Sequence, residues 1–211
     1  YALTYYLGVG NDEFAGDIDT AAAALDRYLS IFERRVKQQD QGIVTEINAM
    51  RSLLRPGDVF IFHYSGHGGT APDSGFNDES GGLEGVIGTK QGFNNGNAVN
   101  DDNVAAALNA IPESVGVLAM FDSCYAGEMI DGTADIDRGA VIGTANAVCT
   151  APGQSILLPL WTTALSQNVD GFLNADSNRD RHLTFGELYD SLDGISGASN
   201  PYAVNFYGHA N

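Results

Sequence analysis

Basic residues are scarce: ten Lys and Arg stand against 27 Asp and Glu, for a formal net charge of −17. That balance excludes nucleic acid as a partner, because phosphate recognition needs clustered cations. It leaves a surface suited to metal ions or basic peptide segments, besides ordinary solvation. Cysteine is nearly absent, and two residues make no disulfide framework. If one thiol is used as a free nucleophile, the other has no partner. No apolar run approaches the ~18 residues a membrane-spanning helix needs, so a membrane partner is not expected. The chain starts at Tyr1 with no signal-like segment behind it, and is read as a trimmed piece. No internal repeat and no low-complexity tract is visible.

What is present suffices for one domain spanning 1–211, since 44% of the 211 residues are hydrophobic. Apolar, β-rich runs at 2–9, 58–64, 115–121, 140–147 and 203–207 read as strands. Helical spacing runs through Ala22, Leu25, Tyr28 and Leu29, with Asp17 or Asp19 as its cap. Further helices are expected at 44–54, 102–110, 156–169 and 185–192, and 31–38 is either an extension of the first helix or a strand. The glycine-rich segment 68–103 reads as a long loop, with a short strand at 85–88 inside it. Strands alternating with helices predict an α/β fold around a mostly parallel sheet.

Two runs end abruptly at glycine-bearing polar turns, VFIFHYSGHGG at 59–69 and LAMFDSCYAG at 118–127. In parallel sheets, reactive groups collect beyond the carboxyl ends of such strands. His67 and Cys124 are thereby brought to one edge, the minimum equipment for nucleophilic acyl transfer. The imidazole raises the thiolate fraction and later protonates the leaving amine. Backbone N–H groups at Gly68 and Cys124 are candidates for stabilising the oxyanion. Trp161 and the other aromatics read as core, and His63, His182 and His209 carry no assigned chemistry as side chains.

HYSGHGG at 63–69 and FDSCYAG at 121–127 resemble the His and Cys motifs of metacaspases, within the wider caspase-like cysteine peptidases. The resemblance runs over roughly residues 1–165, most firmly 58–131, and the 57-residue separation of His67 from Cys124 is close to the roughly 50 of caspases. It implies a caspase-like sheet, protein or peptide substrates, a monomer, and cleavage after Arg or Lys. By the same resemblance Ser65 and Asp122 line an acidic pocket, with Asp19 preferred over Asp17 as a third acid. A desolvated carboxylate recovers its cost by pairing with a cation, which fits a basic side chain.

The resemblance also implies a calcium site at Glu84, Asp101, Asp102 and Asp131. A second calcium site is expected from the twelve residues 176–187, an EF-hand-like insertion within 170–193. Its ligands would be Asp176, Asn178, Asp180, the His182 carbonyl, Thr184 and Glu187, with Arg181 where the pattern has Gly. Arg138 is the expected point of self-cleavage, as the only basic residue between Lys90 and Arg179. Acidity and calcium dependence lean toward an exported protein. The competing readings are a caspase-like peptidase of other specificity and a catalytically silent, calcium-dependent binding module. An intact His67 and Cys124 count against the second.

Overall fold

The computed structural model describes residues 3–10, 14–29, 31, 33–37, 42–73, 82–88, 96–129, 140–143, 157–196 and 205–207. Five strands run parallel in register: β1 (Thr4–Gly10), β2 (Glu33–Lys37), β3 (Val59–Ser65), β7 (Gly116–Asp122) and β8 (Ala140–Gly143). The spatial order is β2-β1-β3-β7-β8-β9, closed by the antiparallel β9 (Asn205–Tyr207).

The strands are apolar on both sides because helices cover both faces, as a parallel sheet requires. Alternate residues divide the core in two. Leu7, Phe60, Phe62, Val117 and Phe121 pack with Ile43, Ile47 and Met50 of α2 (Ile43–Arg51) and with Val104 and Leu108 of α3 (Asp101–Asn109). Tyr6, Ile61, Leu118 and Met120 pack with Ala22 and Leu25 of α1 (Ala15–Leu29), Trp161 and Leu165 of α4 (Leu157–Leu165), and Leu188 and Leu192 of α5 (Phe185–Ser196). Each Val, Leu, Ile, Phe or Met among them contributes about 1.5–3 kcal/mol through burial. Among the described residues, no helix is long and apolar enough to cross a membrane.

One open choice is settled and three expectations change. Residues 33–37 form β2, so the strand alternative holds over helix extension. α1 starts at Ala15, which puts Asp17 in its first turn, complementing the helix dipole, instead of capping it from outside. The glycine-rich segment is not simply a loop: β4 (His67–Pro72), β5 (Leu83–Gly88) and β6 (Val99–Asn100) form a separate antiparallel sheet. Its period-2 signal is faint because four of the twelve residues in β4 and β5 are glycine, and pairing decides where propensity does not. Finally, α4 stops at Leu165, well short of Asp176, and a β-bridge between Gln167 and Leu173 intervenes. The contiguous helix–loop–helix of an EF-hand is therefore not formed.

Candidate active site

β3 and β7 are neighbours in unbroken register, and Ser65 stands opposite Asp122. His67 and Cys124 each lie two residues beyond that pair. Their chain segments touch: a Cβ added to Gly68 would run into the Cys124 carbonyl oxygen, so only glycine permits this approach. Cys124 is not in a disulfide and is half-buried. The residue after it, Tyr125, has φ +55, a left-handed conformation costly for a residue with a side chain. The strand thus turns sharply at the thiol and continues into the 3₁₀ turn Ala126–Met129.

His67 is held from two sides. Its ring meets Phe14 edge-on, with centroids 5.6 Å apart and planes at 89°. Its carbonyl accepts a 2.7 Å bond from the Tyr64 hydroxyl, which itself accepts from Gly88 N–H at 3.0 Å. Neither Phe14, Tyr64 nor Tyr125 carries a local sequence signal for these roles, because each acts through a tertiary contact or a turn.

Ser65, Asp122 and Ser123 are all buried, and among the described residues the Ser65 and Ser123 hydroxyls have no hydrogen-bond partner. Buried polar groups left in that condition are costly unless a ligand or water completes them. Asp19 does not share their setting: it is exposed on α1, whereas Asp17 is half-buried. The preference for Asp19 is accordingly weakened by the helix phase, since Ile18, Ala21, Ala22 and Leu25 take the inward face. His63 lies in β3 two residues before Ser65, fully buried, and its Nδ1 pairs with the Tyr6 hydroxyl at 3.1 Å. Burial pushes its pKa down to about 4, so it stays neutral.

Of the first expected metal set, Glu84, Asp101 and Asp102 converge, with one oxygen of each within 4.8 Å of the others. Asp131 lies outside the described residues, as do Arg138, Cys149 and His209. Asp101 and Asp102 begin α3, whose cap is Asn100; the Asn100 amide also donates to Glu84 at 2.8 Å. Asp101 accepts from the Gly85 and Asp102 N–H groups, both at 2.8 Å. Burial nevertheless pushes its carboxyl up to about 7, opposed by those two bonds and reinforced by Asp102 and Glu84. Three converging acids, one of them reluctant to ionise, fit a hard divalent cation with oxygen ligands.

The second expected set is arranged differently. Asp176 accepts from the Asp180 and Arg181 N–H groups, Asn178 from Asp180, and Asp180 from His182. Thr184 and Glu187 form a capping box at the start of α5: the Thr184 hydroxyl accepts from Glu187 N–H at 3.2 Å, and Glu187 accepts from Thr184 N–H at 3.1 Å. The Thr184 N–H and hydroxyl both donate to the Glu187 carboxylate and hold it below its usual value. Arg181, at the position where the pattern has Gly, is left-handed with φ +67. Arg179 and Arg181 turn toward the Phe172 ring, 6.0 and 5.6 Å from its centroid.

The profile of the metacaspase, peptidase C14 domain matches residues 23–133. Metacaspase-1 of Scheffersomyces stipitis is 39% identical over 88 residues, covering 40% of this chain and 22% of that protein. Metacaspase-1 of Coccidioides immitis is 37% identical over 93 residues, 41% of this chain and 20% of that one. Metacaspase-1 of Lodderomyces elongisporus is 30% identical over 148 residues, 64% and 33% respectively. The chain thus matches a third or less of the length of these relatives. The crystal structure of a Geobacter sulfurreducens protein superposes with a TM-score of 0.64 at 15% identity, over 99% of this chain and 95% of that one, a likeness of fold.

Proposed function

The chain belongs to the metacaspase, peptidase C14 domain family, and from that premise we propose that it is a cysteine endopeptidase domain that cuts after Arg or Lys and is stimulated by calcium. The observation that carries this reading is the contact of Gly68 with the Cys124 carbonyl at the ends of two strands in register. It supports a dyad in which the Cys124 thiolate attacks the acyl carbon while His67 takes the thiol proton and returns it to the leaving amine. The N–H groups of Gly68 and Cys124 would meet the oxyanion. Buried Asp122, with Ser65 opposite it, suits a cationic side chain before the scissile bond.

Calcium would be held by Glu84, Asp101 and Asp102, and it supplies charge neutralisation that those residues cannot provide for one another. The route from there to the thiol is short. Gly85 follows Glu84, donates to Asp101, and packs so closely that an added Cβ would lie 2.6 Å from the Glu128 carbonyl carbon, just past Cys124. Fixing β5 would therefore steady the turn that presents the thiol. A second, weaker ion at Asp176–Glu187 is favoured by the left-handed Arg181, although its oxygens would first have to release the loop's own N–H groups.

The test is hydrolysis of a peptide with Arg before a fluorogenic amide, with calcium, with chelator, and with Cys124→Ala. The expected result is calcium-dependent turnover lost in Cys124→Ala. Turnover that survives in that variant sinks the dyad; selective cleavage after other residues favours the alternative specificity. No turnover of any peptide, with calcium still bound, supports the silent binding module. Self-cleavage after Arg138 predicts fragments on a denaturing gel from the parent protein and none from Cys124→Ala.

A further inference from the structure

β4 is an edge strand that starts at His67 itself, with β5 on one side and no described strand on the other. Two bonds determine which of its residues face outward. Asp73 N–H donates across the hairpin to the Gly82 carbonyl at 3.1 Å. Gly85, opposite Thr70, donates away from β4 to the Asp101 carboxylate at 2.8 Å. Antiparallel pairs alternate between bonded and non-bonded, so Gly69 and Ala71 bond inward to Val86 and Glu84. Gly68 and Thr70 then present their N–H and C=O groups along the free edge.

Among the described residues, neither Gly68 nor Thr70 N–H donates a backbone bond outside the sheet. Thr70 is exposed, and exposed Pro72, which lacks an N–H, closes the row. Natural edges of this kind are usually guarded along their whole length. Among the described residues the guard here stands at the far end, and the part without one adjoins the site. The first open position, Gly68, supplies the expected oxyanion donor. The group that protonates the leaving amine stands on the leaving-group side of the scissile bond, and β4 is the backbone that continues from it.

Resting on the cysteine-peptidase reading, we propose that the outer edge of β4, through the main-chain N–H and C=O of Thr70, receives the substrate segment that follows the scissile bond as an added strand. Main-chain bonds of this kind give affinity with little demand on side chains, which suits an edge built from Gly68, Gly69, Thr70 and Ala71. The occupant is thus an extended peptide at least three residues long beyond the bond.

Successive N–H groups of an extended peptide point to opposite sides, so the test is a pair of quenched fluorescent peptides on the unmodified protein. They carry a backbone N-methyl at the second or at the third residue after the scissile bond. The expected result is unequal: kcat/KM falls about tenfold for one and less than about twofold for the other, as loss of one paired N–H with its neighbouring bond predicts. Equal effects, or none, overturn the proposal. In Thr70→Pro, which removes the donor, the ratio of kcat/KM for the long peptide to that for a small-amide substrate should drop about tenfold; an unchanged ratio overturns it. A parent protein that cleaves neither substrate overturns the peptidase reading, and this proposal with it. Cleavage of both with a flat N-methyl profile overturns this proposal alone.

Discussion

Two sets of three acids in this chain, Glu84, Asp101 and Asp102 against Asp176, Asp180 and Glu187, are arranged differently. Glu84, Asp101 and Asp102 come from two elements, are buried, and aim their oxygens at one point. The carboxylates of 176–187 come from one loop and accept from that loop's own N–H groups. Density of acidic residues is therefore a poor guide to a cation site. Both sets accept N–H bonds, so what separates them is convergence: among the described residues, it is Glu84, Asp101 and Asp102 that bring three carboxylates to one point.

The most direct way to break this comparison is Asp101→Asn. Calcium affinity measured by calorimetry should fall about a hundredfold, the upper end of what is seen even for residues that merely support metal ligands. A change below about twofold would put the ion elsewhere. A smaller effect concerns His63, which like Asp101 is buried at the expense of its charge. The unfolded chain binds a proton there below about 6.5, the folded one only below about 4. Stability should then decrease as the pH is lowered across that window, by about 1.4 kcal/mol per pH unit at most, with the loss complete below about 4. In His63→Gln the urea-unfolding free energy should lose that part of its slope; an identical slope would mean the imidazole titrates freely.

Thr184→Ala sharpens the other side of the comparison. Removing the cap hydroxyl should cost about 1 kcal/mol, lowering the melting temperature by about 2–4 °C. The loss should be the same with or without calcium. If it appears only with calcium present, Thr184 is a ligand first and a cap second. Smallest of all, Asp180→Asn should move the tighter calcium affinity by less than about twofold while weakening or removing a second, weaker binding event.

The parts of the fold legible in the sequence are those written in continuous apolar runs. Val59–Ser65 and Gly116–Asp122 are buried on both faces, and their ends are marked by glycine and polar residues, so the strands and the positions of His67 and Cys124 could be read directly. The second sheet was hidden because Gly68 and Gly69 contribute no side-chain period, and Glu84, Asp101 and Asp102 were named by family resemblance, with no local signal for their convergence. At 184–187, T-F-G-E matches two patterns at once, the end of a calcium loop and a capping box. Only the hydrogen bonds of the folded chain distinguish them. The choice between Asp17 and Asp19 depended on where α1 begins, and a shift of one or two residues at a helix start rotates every side chain after it.

The ladder joining β3 to β7 acts as a ruler. Seven consecutive pairs, from Val59 with Gly116 to Ser65 with Asp122, set the spacing of the two strand ends by peptide geometry alone. The fifty-odd residues strung between them have no say in that distance. A change in the chain that connects these strands therefore reaches the site through the turns beyond Ser65 and Asp122, not through the separation of the strand ends.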